Sequence, residues 1–253
     1  MARKRPGPQR HERAYRRASP HRDELSFQVV VEQSDLWIAM GAGDPEILRV
    51  AALEHLNTIR GQIASWMLLD PAFAPSLTPL PVPSGAPEII RRMCEAAAVM
   101  GVGPMACVAG GVAALTARAL LPYSADCLVE NGGDCMCYST RDRVVGLLPD
   151  PDKKNELGLV LRAEDFPLSL CASSASIGHS LSLGRGELAV VRSRDAFLAD
   201  AAATAFCNML QGPDDLERAA DIAKEYESAG IDGVFLQCGG KIAVWGRMEL
   251  IAL

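Results

Sequence analysis

The chain has 253 residues, 49% hydrophobic and 22% charged, with a formal net charge of −6; this supports a substantial core and excludes a disordered or fibrous chain. The charge is unevenly placed: residues 1–22 carry eight Lys or Arg against one acid, Glu12, so this arm is +7 and the remainder −13. An acidic body with 5% aromatics does not read as a nucleic-acid platform, so 1–22 is expected to be a basic, solvated arm and 23–253 a single domain.

The N-terminus lacks the apolar run of a secretory signal, and no stretch is apolar over a bilayer's thickness, which sets the expectation of a cytoplasmic protein without a membrane partner. Eight cysteines stand mostly inside apolar segments. In a reducing compartment they read as small buried hydrophobes. Only Cys135 and Cys137 are closely paired, and no second pair stands at zinc spacing.

In chain order, residues 25–32 and 34–40 are β-rich runs with a very short connection, which predicts a hairpin. Asp44, Pro45 and Glu46 read as the cap, first position and acidic first turn of a helix reaching about Leu69. Its expected apolar face is Ile47, Val50, Leu53, Leu56, Ile59 and Ile63. His55 on this helix has no partner at i±4 and reads as a surface or half-buried histidine. Six prolines across residues 70–87 predict a long crossing loop of polyproline character. A short helix follows over 87–99, and residues 101–104, Gly-Val-Gly-Pro, break it and start another running through Leu121. That second helix is apolar on most faces and so is expected to be buried. Its start reads either as a tight turn or as a set of free N–H groups that receive an anion.

Residues 126–130 read as a strand leading into Asn131, Gly132, Gly133 and Asp134. This is a hairpin turn needing positive φ, or a glycine pair that lets a ligand approach the backbone. Strands near 144–148 and 157–161 are expected to continue the meander. Residues 171–184 are almost all small hydroxyl or glycine positions around His179, and we expect a loop that brings donors close to a nucleotide. A strand over 188–193 precedes a helix over 195–210. Within it Asp200 and Thr204 share one face, with Asn208 a turn further on and alanine around them. Such hard oxygens suit Mg²⁺; the alternative is an aspartate favoured by the helix dipole plus a back-bonding threonine. A last helix to about Ser228 and closing strands at 234–238, 241–245 and 248–253 complete the chain. Helices interleaved with hairpin-connected strands give an α+β fold with mixed, largely antiparallel sheets packed against helices.

Taken in order, Val129 to Asp134, the loop carrying Gly178, His179 and Ser180, and Ala199 to Thr204 resemble the ApbE superfamily, most closely a small prokaryotic branch of it. Tyr15-Arg16, Ser34-Asp35-Leu36 and residues 101–105 also match that branch, and the likeness covers about residues 13–210. The resemblance implies a T-fold-like α+β architecture and the activity of an Mg²⁺-dependent FAD:protein FMN transferase, passing FMN to a Thr or Ser of an acceptor protein with release of AMP. It implies that Asp200 and Thr204, with the backbone carbonyl of Gly103, hold the metal, and that His179 contacts the flavin or serves as base. Asn131, Gly132, Gly133, Asp134, Ser173, Ser174, Gly178 and Ser180 would lie beside the FAD. Branch members are also associated with sulfide assimilation into homocysteine, so an ApbE-fold protein without flavinyl transfer, acting there or as a ligand-binding partner, stands as the alternative. A homodimer is compatible with either. A pterin- or purine-type T-fold site would need an acid anchoring the ring, for which Glu130 is available.

Overall fold

The computed structural model describes residues 24–147, 157–175 and 184–253. Among these described residues, five α-helices and eleven strands make three layers, with helices on one face of an eight-stranded sheet and a small three-stranded sheet on part of the other. β1 (Leu25–Val31) and β2 (Ser34–Met40) form the predicted hairpin, with Glu32 taking positive φ at the turn. Asp44 caps α1 (Pro45–Leu69) by accepting from the amides of Glu46 and Ile47. Its buried face is Leu48, Ala52, Leu56, Ile59 and Ile63, while Ile47, Val50 and Leu53 are exposed. In the first half of α1 the expected face is therefore corrected by about one position. Apolar residues there satisfy two helical faces, and contact with β1 and α3 decides between them. His55 is half-buried, its proton affinity lowered chiefly by burial.

The proline-rich connection is irregular as expected, and its Phe73 is 1% exposed. α2 (Glu88–Met100) ends on Gly101 in the left-handed conformation. The expected single helix from Pro104 is split. A 3₁₀ turn over Pro104–Cys107 precedes α3 (Val108–Leu120), and its last residue, Cys107, caps α3 with φ −115° and ψ 8° outside the α region. Pro104 has no N–H to donate, and the Gly103 carbonyl accepts from the Ala106 amide at 3.0 Å, closing the short turn. A Cβ on Gly103 would lie 1.8 Å from the Ser76 carbonyl oxygen, so the proline-rich loop requires glycine there. The break has a functional consequence: it leaves the first amides of α3 available to a side chain from elsewhere.

β3 (Cys127–Asn131) and β4 (Asp134–Tyr138) are joined by Gly132 and Gly133, both at positive φ. β4 then pairs with β7 (Leu168–Ser173), followed by β8 (Leu188–Ser193), β9 (Ile231–Cys238) and β10 (Lys241–Gly246). β5 (Arg143–Leu147) and β6 (Leu157–Leu161) do not continue that meander. They leave the main sheet and pair with each other and with β11 (Glu249–Ala252). Leu147, Leu159 and Leu161 thereby meet Leu168, Leu170, Val190 and Phe235, which explains why β7 to β9 are apolar on both faces. β7 also absorbs Cys171 to Ser173, which the sequence places at the start of the loop. On the helical side α4 (Ala196–Met209) lies over β7 and β8, and α5 (Leu216–Glu225) over β9 and β10.

A buried ion pair helps fasten the layers. Asp165 and Arg192, 5% and 4% exposed, meet at 2.8 Å, and Arg247 joins from the turn before β11. Burial by itself would raise the Asp165 pKa, but the guanidinium groups of Arg192 and Arg247 hold it below the ordinary aspartate range. Asp165→Ala leaves Arg192 buried without its carboxylate and is expected to cost about 3–5 kcal/mol in urea unfolding at pH 7. Because the folded pKa is lowered, that stabilisation is present above the unfolded value and lost as pH falls through the folded one. The gap between wild type and variant should narrow only at acid pH; a gap under about 1 kcal/mol at pH 7 would show the pair to be dispensable.

Candidate functional site

The elements that carry the motifs converge at the N-terminus of α3. The Gly110 amide donates to Asp200 Oδ2 at 2.8 Å, joining α3 to the middle of α4. The Ala109 carbonyl accepts from Asn131 Nδ2 at 3.1 Å, joining the same turn to the end of β3. Across the glycine turn, Asp134 Oδ1 accepts from the Ala172 amide at 3.0 Å, which ties β4 to β7. α4 and β3 are therefore bonded to one helix start, and a third bond ties β4 to β7 beside it.

Close approach is what makes this possible. A Cβ on Gly110 would sit 2.5 Å from the Ala196 carbonyl oxygen and 2.9 Å from the Asp200 Cβ, so only glycine lets α3 lie this tightly on α4. On the α4 side the matching requirement is met by alanine: Ala199, Ala201, Ala202 and Ala203 are fully buried. Asp200 is thus the one carboxylate of a helix otherwise lined with methyl groups along this stretch, and it is itself 7% exposed. Thr204 follows one turn later on the same face, half-buried.

The electrostatics follow from the burial. Asp200 is held well above the ordinary aspartate pKa, first by loss of solvent and then by the neighbouring Asp134 carboxylate; the Gly110 and Ala109 amides oppose the shift. Cys171, fully buried with its thiol 3.6 Å from the Ala196 carbonyl, is pushed up in the same way by burial and by Asp134 and Asp200. Its thiol is therefore protonated at neutral pH and inert. At the end of β7, Ser173 and Ser174 are 7% and 8% exposed, and the buried Ser173 hydroxyl has no partner among the described residues. Beside the turn, Gly133 has only the Ala172 Cβ within 4 Å of where its own Cβ would stand, at 3.8 Å.

Asn131, Gly132, Gly133 and Asp134 stand at the β3–β4 turn beside the end of β7 that carries Ser173. Asn131 and Asp200 both bond to the start of α3, and Thr204 lies one turn beyond Asp200 on α4. Gly103 stands apart in role, as the cap of the 3₁₀ turn with its carbonyl already accepting from Ala106. The backbone amides that meet Asp200 are those of Ala109 and Gly110, rather than the start at residues 101–104. His179, Gly178 and Ser180 lie outside the described residues, as does the basic arm 1–22. Glu130 is 5% exposed and accepts from the Gly133 amide at 2.7 Å, a bond that braces the hairpin turn. The sequence reading misses Ala109, Gly110 and Ala172. The consecutive pair Gly110-Gly111 inside an apolar helix is the signal that marks this close approach.

Among the described residues no group of three or more His, Cys, Asp or Glu is arranged to hold a metal ion. Mg²⁺ commonly takes only one or two carboxylates and completes its shell with ligand oxygens and water. Two buried carboxylates that repel each other, with a threonine hydroxyl one turn away, fit that donor set. The orphaned Ser173 hydroxyl likewise fits a polar ligand beside them.

Since the folded Asp200 pKa is raised, the site loses stability as pH rises from the unfolded value near 3.8 towards the folded one. Asp200→Asn removes that loss. In EDTA, thermal unfolding should show the variant more stable than wild type at pH 8, with the two converging near pH 4. Parallel profiles across that range would mean that Asp200 is not strained by burial and Asp134.

Comparison with known proteins gives a consistent placement. The family model described as AbpE bacteria matches residues 16–220. The UPF0280 protein of Methanocella arvoryzae is 38% identical over 201 residues, covering 79% of this chain and 81% of that one. The UPF0280 protein of Methanopyrus kandleri is 36% identical over 225 residues, covering 88% and 90%. Among solved structures, the flavin transferase ApbE from Vibrio cholerae superposes with a TM-score of 0.52 at 13% identity, covering 88% of this chain and 97% of that chain. The ApbE protein from Thermotoga maritima gives 0.55 at 14%, with the same coverage. At such identities the likeness shows the fold alone, and that fold is the expected ApbE-like α+β architecture. By its family match and by these relatives, the chain belongs to the AbpE bacteria family, an ApbE-like branch it shares with the UPF0280 proteins.

Proposed function

We propose that the protein binds an anionic flavin-type nucleotide, FAD by the resemblance, together with Mg²⁺, and that this binding rather than flavinyl transfer is its function. The observation that carries the reading is the buried pair Asp134 and Asp200 at the start of α3, two carboxylates whose mutual repulsion a divalent cation relieves. Asp200 and Thr204 would hold the ion, which when bound neutralises pyrophosphate charge. The chain's own groups do the rest. Ser173 offers a buried hydroxyl to the ligand, and Gly132 and Gly133 keep side chains out of its way. Gly110 holds the Asp200 carboxylate in one orientation. By the resemblance, His179 and Ser180 are proposed to contact the flavin.

Binding is preferred to transfer because parts of the transferase pattern are replaced. Gly103, Pro104 and Met105 stand where the resemblance would put Ala-Lys-Gly, so the helix start brings no lysine. Ser180, Leu181 and Ser182 follow His179 where transferases continue towards Asp-Pro. The V. cholerae and T. maritima likenesses support the fold and leave the chemistry to be argued from the site.

Titration of purified protein with FAD, followed by flavin fluorescence with and without Mg²⁺, is expected to show Mg²⁺-dependent binding that Asp200→Ala weakens at least tenfold. Incubation with a threonine-containing peptide should release no AMP by chromatography. Stoichiometric AMP with a flavinylated peptide would restore the transferase reading, and absence of FAD binding would remove the flavin reading as well.

A further inference from the structure

A second polar feature lies further along the same face of β4. Asp134, Met136 and Tyr138 alternate onto the helical side of that strand, so Tyr138 stands about 13 Å from Asp134 at about 3.3 Å per residue. There Arg92 of α2, Arg118 of α3 and Arg194 of the turn before α4 converge with Tyr138 on a cavity of about 80 Å³, floored by Met136 and Ala114. We propose that this cavity is an oxyanion site, taking a phosphate- or sulfate-type group either as the free ion or as the terminal phosphate of a larger ligand.

Three observations carry the assignment. The first is charge: three guanidinium groups from three different elements line the cavity, against one lining carboxylate, Asp195. Asp195 is already committed, accepting from Arg92 at 2.8 Å and from the Phe197 amide at 3.0 Å as the cap of α4. The second is preorganisation. Arg92 is fixed with its guanidinium 4.2 Å over the Phe197 ring, and Arg118 is held by both Glu88 oxygens at 2.8 and 2.6 Å. Each guanidinium has five N–H donors, so both keep donors beyond these partners. Arg194 is exposed, and among the described residues no carboxylate is paired with it. The third is size and setting. At roughly 10–15 Å³ of accessible volume per water the space holds several waters or one tetrahedral oxyanion, and it lies at the N-terminal end of the fourteen-residue α4, where the dipole adds positive potential.

This site stands apart from the carboxylate pair in both sign and geometry, so its test runs without Mg²⁺ or FAD. Full-length protein in EDTA is titrated with inorganic phosphate and, separately, with AMP, against sodium chloride at matched ionic strength, by calorimetry and by thermal shift. Saturable phosphate binding that Arg194→Ala weakens about tenfold, the loss expected for one charge-assisted hydrogen bond, supports the proposal. Tyr138→Phe serves as a second variant, expected to weaken binding less. AMP binding more tightly than phosphate, with the same dependence on Arg194, supports it too and identifies the source as a phosphomonoester on a larger ligand. The proposal is overturned if neither anion binds beyond the chloride control, or if Arg194→Ala binds phosphate as wild type does.

Discussion

The contact on which this molecule turns is the Asp200 carboxylate resting on the first amides of α3. It places an ionisable group in the centre of the helical layer, on a helix that otherwise presents methyl groups to its neighbours. Burying an acid costs free energy unless donors meet it, and the donors come from a helix end that Cys107 and Pro104 have freed from the preceding turn. The glycine at 110 and the alanines flanking Asp200 are the steric side of the same arrangement, since any larger side chain would part α3 from α4. Asn131 and Asp134 extend it into the sheet, so the bonds involve five elements, α3, α4, β3, β4 and β7.

That construction separates rigidity from reactivity. The Cys107 and Cys171 thiols have pKa values raised by burial and stay protonated at neutral pH. What the site retains is a concentration of negative charge at one end of β4 and of positive charge at the other, with the apolar Met136 between them. A phosphate-bearing ligand with a bound cation and a bare oxyanion make opposite electrostatic demands, and the two proposed sites stand at opposite ends of one strand.

Much of the local structure was legible from residues alone. Asp44-Pro45-Glu46 gave the start of α1, the six prolines gave the irregular crossing, and Gly132-Gly133 gave the hairpin between β3 and β4. These signals are local, because each rests on the φ preference or missing donor of one or two residues. The errors lie where two placements satisfy the same local pattern. Residues 47, 50 and 53 and residues 48, 52 and 56 are both acceptable helical faces, and β5 and β6 are acceptable neighbours for either sheet. Only the packing partner distinguishes them.

The sequence by itself determined the family and the α+β class, because motif order and short-range capping and turn chemistry are carried by the chain's own neighbours. Tertiary structure alone decided which helix start meets Asp200, why Gly103 and Gly110 are glycine, and that Arg92, Arg118 and Arg194 share a cavity. Those relations join residues tens of positions apart. They depend on distances of a few ångströms between separate elements, and no periodicity along the chain encodes such distances.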